Sequence, residues 1–172
     1  MVDTSEIASP LLRLALYQPD IPQNAGTLFR LGACLGVPVD LIEPAGFDAS
    51  DRNLRRAGLD YLHQLDLTRH LSYAHFRSQI RERGQRLVLA TTKAATPHHR
   101  FAFSPGDVLM LGRESAGVPD WVQDDADARI VIPLQPGLRS LNVAVSGAIL
   151  IAEALRQLDG FASPDAQPNG NP

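Results

Sequence analysis

An α/β domain built on a mainly parallel sheet flanked by helices is the fold class this sequence predicts, and three observations predict it. Short apolar runs recur at residues 11–17, 37–42, 86–92, 107–111 and 129–132, each the length of a buried strand. Between several of them lie segments that carry helix start and stop residues. Strands that alternate with helices require crossover connections, and these favour parallel pairing.

The elements follow in order. Residues 1–10 form a polar leader, residues 11–160 the domain, and residues 161–172 a tail expected to be disordered, with Pro164, Pro168, Asn169, Gly170 and Pro172. After the first strand comes the turn Gln18-Pro19-Asp20-Ile21-Pro22. Asn24 then suits the N-cap of a helix that runs to Leu35 and stops at Gly36. Ser50 or Asp51 can cap a short helix over 51–57, and residues 63–67 read as a short strand. Ser72 caps a basic helix that Gly84 stops, and a last helix is expected over about 140–158, with Ser140 as its cap. In open parallel sheets ligands bind beyond the carboxyl ends of the strands. The loops after Thr92, Leu111 and Ile132 are therefore the places to look for chemistry.

Composition narrows the class. Cys34 is the one cysteine, so neither a disulfide framework nor a zinc cluster is available. No apolar run approaches the roughly 18 residues of a membrane span, and Asp3, Glu6 and Arg13 interrupt any signal-like opening. The expectation is a cytoplasmic protein without a membrane partner. The net charge is −3, but it is unevenly spread: residues 51–100 hold ten Lys or Arg against four Asp or Glu (+6), and the remainder holds six against fifteen (−9). Segregated positive charge suits a polyanion. Solvated helix faces would produce the same count.

Neither a G-x-G-x-x-G run after the first strand nor a G-x-x-x-x-G-K-[ST] run is present, which disfavours dinucleotide dehydrogenases and P-loop NTPases. Two other loops are distinctive. Leu111-Gly112-Arg113-Glu114-Ser115-Ala116-Gly117-Val118-Pro119 sets two glycines around a charged pair directly after a strand, and glycine lets backbone approach a ligand closely. Taken alone, this is more simply an ordinary turn, with Pro119 opening the next helix. Ile132-Pro133-Leu134-Gln135-Pro136-Gly137-Leu138-Arg139 leads into a helix whose apolar residues, among them Val143, Val145, Ile149 and Ala152, surround it. Such a helix needs cover on two sides, which a second copy of the chain would supply.

With both loops in view, the chain resembles the SPOUT superfamily of methyltransferases. Within it, the chain is similar to the short tRNA ribose 2′-O-methyltransferases that act on the wobble nucleotide. The likeness spans residues 14–158. Its first motif is Ile21-Pro22-Gln23-Asn24-Ala25-Gly26 with Arg30, its second covers 111–119 and its third 132–153, while Leu54-Arg55-Arg56-Ala57-Gly58-Leu59-Asp60-Tyr61 marks the wobble subgroup. Ala144, Val145 and Ala152 depart from the residues usual in that subgroup. The resemblance implies a C-terminal trefoil knot, a homodimer, tRNA as partner and S-adenosyl-L-methionine as methyl donor. The donor would be held by Ala90, Gly112, Ile132 and Ser140, with Leu134 and Leu141 as apolar walls.

It also assigns Arg30, Asn24 and Asn142 to catalysis, with Arg30 activating the ribose hydroxyl. A guanidinium with a pKa above about 12 is a poor base, so Arg30 is better read as clamping phosphate and stabilising the developing alkoxide. Glu114 is expected to hold Arg30 or a loop amide. Lys93, His98, His99 and Arg100 follow a strand end and suit phosphate. No metal is expected, since no further ligand is spaced to join His98 and His99. Two other functions fit the same residues: 2′-O-methylation elsewhere in tRNA or rRNA, and a non-catalytic RNA-binding dimer.

Overall fold

The computed structural model describes residues 9–48 and 62–163. The helix expected over 51–57 and the stretch with Arg55 and Arg56 lie outside the described residues, as do residues 1–8 of the leader and 164–172 of the tail. Strands β1 (Leu12–Tyr17), β2 (Val39–Ile42), β3 (Leu67–His70), β4 (Leu87–Ala90), β5 (Thr96–Pro97), β6 (Asp107–Leu111) and β7 (Ala128–Val131) form one sheet. Their order is β3-β2-β1-β6-β4-β7-β5, with every pairing parallel. The helices are α1 (Pro22–Leu35), α2 (Tyr73–Glu82), α3 (Asp120–Asp125) and α4 (Val143–Gln157).

Both faces of the sheet are covered, which is why its strands read as continuous apolar runs. Successive residues of β1 point to opposite sides. Leu12, Leu14 and Leu16 join Leu28 and Phe29 of α1 and Leu150, Ile151 and Ala154 of α4 in one core. Ala15 and Tyr17 join Tyr73, Phe76 and Ile80 of α2 and Val122 of α3 in the other. The apolar side of α1 meets α4, and Gly147 makes the approach close: a Cβ there would lie 2.5 Å from Leu28 Cδ2 and 3.0 Å from Leu111 Cδ1.

Three local expectations are corrected. Asn24 does not cap α1. The cap is Ile21 in extended conformation and the helix starts at Pro22, because proline has no N–H to leave unsatisfied at that position and its ring presets the helical φ. Ser140 does not cap the last helix either. Asn142 does, its Oδ1 accepting from Ala144 N at 2.8 Å and Val145 N at 3.2 Å. The strand expected over 63–67 instead begins at Leu67, after a 3₁₀ turn at Leu62–Gln64. Other signals read locally hold: Gly36 ends α1 in the left-handed region at φ 65°, and Ser72 Oγ caps α2 by accepting from His75 N.

Beneath α2 the sheet buries charge. Arg13 Nε and Nη2 donate to Asp40 at 2.7 and 3.1 Å, and His70 Nε2 lies 2.7 Å from the same carboxylate. Burial pushes the Asp40 carboxyl up, but hydrogen bonds from His70 and Arg13 outweigh it and hold the group below its ordinary value.

Candidate functional site

A cleft of about 570 Å³ opens at the carboxyl ends of β4, β6 and β7, walled by the loops that follow those strands. Ala90, Gly112, Ile132, Leu134, Ser140 and Leu141 all line it, and so do Asn24 and Asn142. Its floor is apolar, from Leu89, Leu111, Ile130 and Leu150, and its rim carries Thr91, Thr92, Lys93 and Ser146. Arg30 is not among the lining residues; it stands on the exposed side of α1.

The loop after β6 is a small closed hairpin. Arg113 and Gly117 exchange backbone hydrogen bonds of 3.0 and 2.9 Å, and Gly117 adopts φ 64°. Gly112 lies against the hairpin's return, where a Cβ would sit 2.8 Å from Gly117 Cα and C. Only a residue without a side chain fits there, and its backbone is left facing the cleft.

A chain of polar contacts links this hairpin to the first motif and to α4. Asp20 N donates to Glu114 Oε2 at 3.0 Å, while Asp20 Oδ1 accepts from Glu114 N at 3.2 Å and Oδ2 from the Ser115 hydroxyl. Hydrogen bonding with Glu114 and Ser115 holds the Asp20 carboxyl down at about 2. Glu114 Oε1 accepts from Asn24 Nδ2 at 3.2 Å, and Asn24 Oδ1 accepts from Asn142 Nδ2 at 3.0 Å. Glu114 thus meets the loop amide of Asp20. Asn24 and Asn142 hold each other, and both polar atoms of each are engaged. The contacts of Asp20 with Glu114 and Ser115 were not legible in the sequence, because partners 94 or 95 residues apart leave no local spacing to read.

Lys93, on the loop after β4, reaches Asp120 Oδ1 at 3.2 Å. His98, His99 and Arg100 form a 3₁₀ turn after the edge strand β5, and none of them lines the cleft. Among the described residues there is no cluster of three side chains able to hold a metal ion.

Comparison of the whole chain decides its family, since residues 11–152 match the SpoU rRNA Methylase family. The chain belongs to that family. The superfamily read from the three motifs is therefore borne out. A protein of Beijerinckia indica subsp. indica named tRNA (cytidine(34)-2'-O)-methyltransferase is 60% identical over 149 residues, covering 87% of this chain and 93% of its own. A solved structure described as giving insights into the 2-OH methylation of C/U34 on tRNA superposes with TM-score 0.80 at 42% identity, covering 87% of this chain and 97% of that one. The AdoMet-bound rRNA methyltransferase of Sinorhizobium meliloti superposes with TM-score 0.77 at 26% identity, covering 86% of this chain and 56% of that one.

Proposed function

We propose that this protein transfers the methyl group of S-adenosyl-L-methionine to the ribose 2′-hydroxyl of the wobble nucleotide of tRNA. The observation that carries the reading is the single cleft shared by the loops after β4, β6 and β7, lined by every residue expected to hold the donor. The names of the similar proteins support the choice of tRNA and of position 34. The residues present fit the donor. The volume lies within the ~300–1,000 Å³ of small-molecule sites, Gly112 presents backbone, Leu134 and Leu141 offer apolar walls for an adenine, and Ser140 offers a hydroxyl.

When bound, S-adenosylmethionine supplies a sulfonium methyl open to in-line attack. The chain's own residues hold the approach. Gly112, Ile132 and Ala90, which line the cleft, would hold the donor through their backbone. Asn24 and Asn142 fix the first motif against α4, which makes them positioning residues more than acid or base. Arg30, permanently charged, clamps the phosphate beside the target ribose and stabilises the developing alkoxide, while the proton leaves to phosphate or water. Its place on α1 outside the cleft wall suits contact with the RNA backbone more than with the donor.

The working unit is a homodimer in the cytoplasm. Half-exposed Val145 (49% of its surface) and exposed Ala152 on the outer side of α4 support a second copy seated there. Among the described residues no helix is long and apolar enough to cross a membrane. The C-terminal chain is read as a trefoil knot, a reading that rests on the family resemblance alone.

The test is transfer of a radiolabelled methyl group to bulk tRNA, with mapping of the modified nucleotide. Label on the ribose of position 34 is expected. Label on a base refutes 2′-O chemistry, label at another ribose moves the target, and donor binding without transfer favours a non-catalytic RNA-binding dimer.

A further inference from the structure

We infer that Asp20 is a positioning residue of the donor site: it latches the 113–117 hairpin in the place where that hairpin walls the cleft. The role rests on methyl transfer from S-adenosylmethionine being the reaction. Asp20 does not itself line the cleft, so it acts on the donor only through the hairpin.

Three contacts make the latch. The Asp20 carboxylate accepts from Glu114 N and from the Ser115 hydroxyl, and the Asp20 amide returns a bond to Glu114 Oε2. Reciprocal pairing of this kind fixes both the distance and the rotation of one loop against the other, and bonds to a charged group are the strong ones. The latch has a firm back. Gly46 N donates to Pro19 O at 2.8 Å, and a Cβ on Gly46 would sit 2.9 Å from Asp20 Cα and Cβ. The turn that carries Asp20 is therefore pressed between the loop after β2 and the hairpin after β6.

Besides the latch, Arg113 Nε donates to Gln18 O at 3.3 Å, and the Arg113–Gly117 backbone pair closes the hairpin on itself. Ser115, Ala116 and Gly117 are exposed, and Glu114 is only half-buried. Segments with few buried apolar contacts open readily, so polar bonds set where this one rests. Helix capping does not account for the carboxylate: α1 is capped by Ile21 with no side-chain cap bond. The consequences reach further than the hairpin. Glu114 passes the constraint to Asn24, Asn24 to Asn142, and Asn142 to the first amides of α4. One carboxylate thus sets the register of the β6 loop while its partner Glu114 ties that loop to the helix that closes the cleft.

The experiment combines calorimetric titration of the purified protein with S-adenosylhomocysteine and amide hydrogen exchange without ligand, on the wild type, Asp20→Ala, Asp20→Asn and Ser115→Ala. Asp20→Ala is expected to weaken binding about tenfold, equivalent to ~1.4 kcal/mol. It should speed exchange at the Glu114 and Gly117 amides while the amides of β6 keep their protection. Asp20→Asn, which keeps one carbonyl acceptor, should fall between. In turnover assays the KM for the donor should rise more than kcat falls, which a mere loss of stability would not produce. Asp20→Ala with affinity within about twofold of wild type and unchanged exchange at Glu114 overturns the latch. If Asp20→Ala does not fold, Ser115→Ala decides: weakening of about two- to threefold that is not additive with Asp20→Asn supports the latch, and simple additivity overturns it. A folded wild type that binds no S-adenosylhomocysteine overturns the donor reading and the latch with it, whereas unchanged exchange in a protein that binds overturns the latch alone.

Discussion

Replacing Asn142 separates two jobs that the structure gives to one side chain. Its Oδ1 accepts from Ala144 N and Val145 N, and its Nδ2 donates to Asn24 Oδ1. Asn142→Ala removes both. Loss of an N-cap costs about 0.5–2 kcal/mol, and the Asn24 oxygen left behind is only half-buried, so water recovers most of that bond. A total of about 1–2 kcal/mol follows, which for a domain of this size lowers the melting temperature by ~2–4 °C per kcal/mol. Asn142→Asp keeps the capping oxygen and adds a negative charge at a helix N-terminus, favourable by ~0.3–1 kcal/mol, but it loses the donor to Asn24. Its stability should stay within about 1 kcal/mol of wild type while methyl transfer falls. Ser140→Ala should leave the melting curve within about 0.5 kcal/mol, since Ser140 is exposed and is not the cap. Thermal and urea unfolding of the three variants, beside transfer assays, read all of this. Equal destabilisation by Ser140→Ala and Asn142→Ala, or by Asn142→Asp and Asn142→Ala, would refute the assignment of the cap.

Gly112→Ala places a Cβ 2.8 Å from Gly117 backbone, which cannot give way without opening the hairpin; donor affinity measured by calorimetry should fall at least about tenfold, or ~1.4 kcal/mol. At Asp40 the folded-state pKa is depressed, so its stabilisation is present above the unfolded value of about 3.9 and is lost as pH falls through the folded value. Asp40→Asn should therefore flatten the decline of urea midpoints below about pH 4. At neutral pH the same variant should cost about 3–5 kcal/mol by leaving Arg13 buried without its partner. A mutant whose acid limb matches wild type would contradict this origin. Arg30→Lys should keep part of the transfer rate because the charge stays, and Arg30→Ala should lose at least about a hundredfold; an Arg30→Ala enzyme as fast as wild type would remove Arg30 from the chemistry.

What was legible in the sequence was whatever is coded locally. Strands buried on two faces announce themselves as apolar runs, and β1, β6 and α2 lie within a residue or two of their expected ranges. The left-handed stop at Gly36 and the cap at Ser72 need only neighbouring residues. The misplaced caps show the limit. Asn24 and Ser140 are both good capping types, but a capping oxygen is useful only where the chain turns, and that is decided by Pro22 and by Asn142 lying against Asn24. The candidate site was legible through its loops, because Gly112 and the run to Ser140 follow strand ends that a parallel sheet brings side by side. The latch at Asp20 was not, because its meaning appears only when residues 20 and 114 meet in space.

Folding redistributes the charge pattern read along the sequence. Residues 51–100 carry a +6 excess in sequence, yet five of the seven described cations of that stretch are matched by carboxylates from elsewhere. Arg69 meets Glu43, Arg77 meets Asp125 and Asp127, Arg81 meets Asp125, Arg86 meets Asp107 and Lys93 meets Asp120. Segregation along the chain thus becomes mixing on the surface, and a paired arginine releases few counterions when RNA arrives. If tRNA is the substrate, as proposed, the described cations that folding leaves without a carboxylate are the ones most open to phosphate. Among the described residues Arg83, Arg100, Arg113 and Arg139 form no ion pair. Of these, Arg139 stands exposed on the loop that leads from the cleft into α4. The described cations of that stretch therefore mostly brace α2 against α3 and the sheet, and Arg139, beside Ser140 of the cleft lining, is the exposed cation placed to meet phosphate if RNA binds as proposed.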